Sequence, residues 1–148
     1  MVSPEMLRRF SCFSPIQEES LKALATIASE EMVPAGRCLF SEGEPAGCLS
    51  LLIDGEVDIQ YRLANGELRT IDTLIAGDLL GWSALVPPYK MTGIATTNKA
   101  SRLIRIQAQP LRDICERDPA LGYRLVTQVA RLLADRLDGT RVQLALVN

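Results

Sequence analysis

Residues 77–97 read GDLLGWSALVPPYKMTGIATT, and the fold is decided by how this stretch is punctuated. Gly77-Asp78-Leu79-Leu80-Gly81 has the pattern of a strand end running into a glycine turn. Trp82-Ser83-Ala84-Leu85-Val86 is too short for a free helix but long enough for one helical turn. Pro87-Pro88 stops that turn, and Thr92 to Thr97 resumes as a strand. A glycine, one helical turn and a returning strand make a small cradle for an anion. Backbone N–H groups at the start of such a turn lack internal partners, and the local dipole is positive there.

Outward from this cradle the chain keeps a β rhythm. Pro34-Ala35-Gly36 reads as a turn, Arg37 to Phe40 as a strand, Glu42 to Pro45 as a turn and Leu49 to Ile53 as a strand. Asp54-Gly55 is a hairpin signal, after which Val57, Ile59 and Tyr61 alternate with Asp58, Gln60 and Arg62. Asn65-Gly66 marks a second hairpin into Leu68 to Leu74, and Arg102 to Ile106 closes the series. About eight short strands near ten residues apart predict a mainly β fold, an antiparallel barrel or jelly roll rather than a βαβ sheet.

The residues of the cradle resemble the phosphate-binding cassette of the cyclic-nucleotide-binding domain, the effector domain of catabolite-activator regulators and of cAMP-dependent kinase regulatory subunits. Gly81, Ala84 and Leu85 match that cassette, as do Thr92 and Gly93 after its arginine position, and the order Gly36, Gly43, Gly55, Gly77, Gly81 follows the family's turns. The resemblance covers about residues 10–140. It implies a double-stranded β-helix with a cyclic nucleotide, cAMP or cGMP, as the ligand class and no resident cofactor. The implied contacts are Gly81 for close backbone approach, Ser83 and Ala84 as backbone donors, and Thr92 near the phosphate.

Two positions depart from the family. Its ribose-binding Glu falls on Trp82, whose indole only donates, and its phosphate-binding Arg falls on Met91, which carries no charge. Each lost charged contact weakens binding by about ten- to a hundredfold, so any cyclic nucleotide is expected to bind weakly. Lys90, one position early, offers a point charge in place of the arginine fork, while Trp82 and Tyr89 offer flat faces for stacking. The candidate site is therefore Gly81, Trp82, Ser83, Ala84, Lys90, Met91 and Thr92.

Helices are expected at both ends. Ser3-Pro4 and Ser14-Pro15 each put a capping hydroxyl before a first-turn proline, Gln17 completes a capping box with Ser14, and an apolar stripe runs from Ile16 to about Ser29. Gln109-Pro110 and Asp118-Pro119 open two more helices. The last carries Val126, Ala130, Leu133, Leu137, Thr140, Leu144 and Val147 at alternating spacings of four and three, a heptad seam. A second row, Leu121, Leu125, Val129 and Leu132, lies beside it, so one row packs on the β body and the other suits a second copy. The resemblance implies the same, since this helix is the family's dimer seam and the element that moves on binding. One domain over 1–148 is expected: helices in 1–30, the β body in 31–107 with the cassette at 77–97, and helices in 108–148.

Composition narrows the function. The 148 residues carry 16 basic and 18 acidic side chains and no histidine, which removes any Ser/His/Asp or Cys/His constellation. The absence of GxxxxGK[ST] and of paired carboxylate motifs also points away from an enzyme. Cys12, Cys38, Cys48 and Cys115 form no CxxC pair, so reduced thiols are expected rather than a metal site. With a net charge of −2, no basic run, no signal peptide and no long apolar span, a cytoplasmic protein touching neither nucleic acid nor membrane is expected. The expectation is a non-enzymatic sensor that binds a small anionic ligand and signals through its C-terminal helix. The alternatives are the effector part of a transcription regulator without its helix-turn-helix, and a ligand-free dimerisation domain.

Overall fold

The computed structural model describes residues 1–147; Asn148 and the side chains of Gln143, Leu146 and Val147 lie outside the described residues. Two helices, α1 (Pro4–Arg8) and α2 (Glu18–Thr26), precede eight strands, and α3 (Ala108–Arg117) and α4 (Pro119–Val147) follow them. The strands are β1 (Ala28–Val33), β2 (Cys38–Phe40), β3 (Cys48–Asp54), β4 (Val57–Arg62), β5 (Leu68–Leu74), β6 (Leu79–Leu80), β7 (Ile94–Thr97) and β8 (Ser101–Gln107). They form two four-stranded sheets, β1-β8-β3-β6 and β2-β7-β4-β5, and every pairing within them is antiparallel. This interleaved order is that of a jelly roll.

The first sheet is covered on both faces, which explains why β3 reads as a nearly unbroken apolar run from Cys48 to Ile53. On one face Leu49, Leu51, Ile104 and Ile106 pack with Leu7, Phe13, Leu21, Leu24, Leu111 and Leu121 of the helical layer. On the other, Leu52, Leu80 and Leu103 meet Val57, Ile59, Leu74 and Ala95 of the second sheet. The second sheet has one wet face, so β4 alternates as its sequence predicts. Among the described residues no helix is long and apolar enough to cross a membrane.

Three local expectations are corrected. The apolar stripe from Ile16 to Ser29 is not one helix: α2 ends at Thr26, and Ala28 and Ser29 already pair with Ile106 and Arg105 in β1. A helical period in the sequence is overridden here because β8 supplies a full ladder of backbone partners. The capping box is absent as well, since Gln17 is the N-cap without a side-chain bond and the Ser14 hydroxyl donates to the Ser11 carbonyl at 3.3 Å. By contrast, Ser3 accepts from the Met6 N–H at 3.3 Å, as a cap should. Finally, Asp54-Gly55 is a turn but not a hairpin: β3 and β4 lie in different sheets, and the turn carries the chain between them. Gly55 (φ +106°) is required there because a Cβ would sit 2.7 Å from the Ala100 carbonyl oxygen.

Helix α4 resolves into two faces. Leu121, Leu125 and Val129 are buried, whereas Val126 and Leu137 of the heptad seam are more than half exposed, as is Leu144. The seam's last member, Val147, lies outside the described side chains.

Candidate functional site

Gly81 is where the sequence becomes a site. Its backbone is left-handed (φ +81°), and a Cβ would lie 2.7 Å from the Cys48 carbonyl oxygen, so only glycine turns the chain here without a shift. A single 3-10 turn, Trp82–Leu85, follows, and the Ala84 N–H donates to the Gly81 oxygen at 3.0 Å. The N–H groups of Trp82 and Ser83, at the open start of the turn, have no partner within it. The return passes through Pro87-Pro88, joined by a cis peptide bond, and Tyr89 (φ +60°).

The loop 42–46 then clamps residues 89–91. The Met91 N–H donates to the Glu44 oxygen at 2.8 Å, the Gly43 N–H to Met91 at 2.7 Å and the Ala46 N–H to Tyr89 at 2.8 Å. Lys90 bridges Pro45. In such an extended pairing consecutive side chains face opposite ways. Met91 accordingly turns inward and is 7% exposed, while Lys90 is exposed to solvent.

Gly81, Trp82, Ser83, Met91 and Thr92 together line a cavity of about 20 Å³, space for little more than one water. Ala84 is fully buried but contributes elsewhere, as its carbonyl oxygen accepts from the Arg112 guanidinium at 2.6 Å. Lys90 is not among the lining residues. The remaining wall is Phe40, Ile59, Tyr61, Gly93 and Arg136. The alternation of β4 put Ile59 and Tyr61 on one face in the sequence, but nothing there announced that Arg136, from α4, reaches the same space. Arg136 Nε donates to Asp72 Oδ2 of β5 at 3.2 Å, and its side chain is only 12% exposed. Gly93 allows this wall to close, because a Cβ there would meet the Tyr61 ring at 2.8 Å.

Residues 30–118 match the family model for the cyclic nucleotide-binding domain. The chain belongs to that family. Over 141 residues it is 28% identical to a CRP-like cAMP-activated global transcriptional regulator of Mycobacterium tuberculosis, a match covering 95% of this chain and 61% of the regulator. The chain thus spans about three fifths of the length of that relative. A putative cyclic nucleotide-binding protein from Geobacter metallireducens superposes with a TM-score of 0.82 at 34% identity, covering 93% of this chain and 99% of that one. The sensor domain of the regulator DNR from Pseudomonas aeruginosa shares the fold at 19% identity and a TM-score of 0.76, over 90% of each chain. In this member of the family the cavity beside the cassette turn is lined by Trp82, Met91 and Arg136 among others.

Proposed function

We propose that residues 1–148 form one regulatory module that binds a small anionic ligand, a cyclic nucleotide weakly, and reports it through α4 to a second copy of the chain without catalysing a reaction. The observation that carries this reading is the double role of α4. Its inner row holds the helix on the body, its Arg136 lines the cavity, and Val126 and Leu137 face outward. A change in the cavity is therefore one side chain away from the face that would meet a partner. The cAMP-activated regulator to which the chain is similar supports the ligand class.

A thermal-shift titration with cAMP and cGMP at millimolar concentration tests it. A ligand at a hundred times its Kd adds about 2.7 kcal/mol, a rise of several degrees for a domain of this size. A saturable rise with either nucleotide is expected, and no rise with either counts against the reading. The small volume of the cavity favours a second reading, a ligand-free dimerisation domain, which predicts no rise and a dimer that persists without ligand. The match to part of a transcriptional regulator favours a third, in which the module is the effector part of such a protein.

A further inference from the structure

Among the described residues that line the cavity, Arg136 is the one charged side chain. The cassette positions offer no substitute: Met91 is apolar and turned inward, and Lys90 is in solvent on the far side of the bridge to Pro45. A guanidinium this covered must have its charge answered, and Asp72 answers it with a single Nε–H···O contact at 3.2 Å. That contact leaves the planar fork of Arg136 unused for the two-pronged grip it makes on a carboxylate or phosphate. Asp72 stands at a boundary. On its other side a groove of about 410 Å³ between β5 and α4 is lined by Asp72, Gln128, Arg131 and Asp135. The Asp72 side chain is 36% exposed, so water can solvate the carboxylate when Arg136 is released.

We propose that Arg136 is the residue that reads the ligand's anionic group, and that Asp72 is a resident stand-in which holds the guanidinium until that group displaces it. The charged reader has moved from the cassette to the C-terminal helix. The proposal rests on the reading of the cavity as a ligand site and names the residue that decides its chemistry. Because Arg136 is next to Leu137, the exchange of Asp72 for ligand acts directly on the outward face of α4. The chemistry of this wall suits a ligand with one acidic group and a flat body, since Trp82, Tyr61 and Phe40 supply aromatic faces, but such a ligand enters only as the wall opens beyond its present volume of about 20 Å³.

The chain's one tryptophan, Trp82, is in the cavity wall and reports binding by its emission. Wild type, Asp72→Asn and Arg136→Gln would each be titrated with cAMP and with cGMP. The expected result is opposite signs. Asp72→Asn keeps the size of the side chain but removes the competing charge, so it binds several-fold more tightly than wild type. Arg136→Gln binds about ten- to a hundredfold more weakly. If the ion pair merely braced the fold, both variants would weaken binding, and that outcome overturns the inference while leaving the ligand site standing. Equal affinity in wild type and Asp72→Asn overturns the stand-in role of Asp72. Silence from all three proteins with both nucleotides overturns the ligand reading and the inference with it. Should Arg136→Gln lose its cooperative melt, Asp72→Asn alone carries the sign of the effect.

Discussion

The Arg112 guanidinium donates to the Ala84 carbonyl oxygen at 2.6 Å and also sits 3.9 Å from the centroid of the Tyr89 ring. One side chain of α3 thereby holds both ends of the cassette turn, the 3-10 helix through its carbonyl and the Pro-Pro return through an aromatic face. Gln109, one turn earlier, accepts from the same guanidinium at 2.9 Å and fixes its plane. The cassette is thus tied to the helical layer as well as to the sheets.

Replacing Arg112 with Ala is expected to lower stability by about 2 kcal/mol, the sum of a charge-assisted hydrogen bond and a half-exposed cation–π contact. Thermal melting should show a fall of several degrees, and Arg112→Lys should recover only part of it because an ammonium lacks the fork. An unchanged melting temperature would mean that the cassette is held by its strands alone.

Gly81→Ala and Gly66→Ala separate backbone strain from crowding. Both glycines have positive φ, +81° and +88°, but a Cβ at Gly66 meets nothing within 4 Å while one at Gly81 lies 2.7 Å from a backbone oxygen. Urea denaturation should show a loss of about 1 kcal/mol for Gly66→Ala and clearly more for Gly81→Ala. Equal losses would show that the Cys48 carbonyl gives way freely.

The outward face of α4 predicts self-association. A Val126→Glu, Leu137→Glu double variant places charge on two residues that are 54% and 52% exposed in the single chain. Sedimentation should show the dimer weakened by about a hundredfold, about 2.7 kcal/mol, with the far-UV spectrum unchanged. A wild type that sediments as a monomer at high micromolar concentration would refute the seam.

The thiols should react unequally. Burial pushes the Cys12 thiol up to about 11, and burial followed by the nearby Asp118 charge does the same for Cys115. At pH 8 only about one in a thousand of either is thiolate, the nucleophilic form. Cys38 is exposed, so iodoacetamide followed by mass spectrometry should find it alkylated first. Early labelling of Cys12 would report that the helical layer over the first sheet opens.

The turn after Gly81, the alternating β4 and the Asp118 cap of α4 were legible because their causes are local. A left-handed glycine, a period of two and a carboxylate that accepts from the Leu121 N–H at 3.3 Å are properties of a few consecutive residues. The two apolar rows of α4 were legible for the same reason, since a helix fixes its own faces. The stretch from Ile27 to Ser29 was not. Its residues fit a helix as well as a strand, and the choice was made by the edge of β8, which lies far along the chain and pairs in the register Ala28↔Ile106 to Val33↔Ser101.

The sequence by itself determined a mainly β body, an antiparallel barrel or jelly roll, with a glycine-led cassette, helices at both ends and no histidine-based chemistry, because composition and short-range periodicity carry that information. Tertiary structure alone decided which of Lys90 and Met91 enters the cavity, since the face of each depends on the bridge to Pro45 in another loop. It alone decided that Arg136 joins Trp82 in the cavity wall and that Asp72 holds it. The Arg136–Asp72 contact joins residues 64 positions apart, and its geometry is set by how α4 docks on the sheets, not by any pattern in the chain.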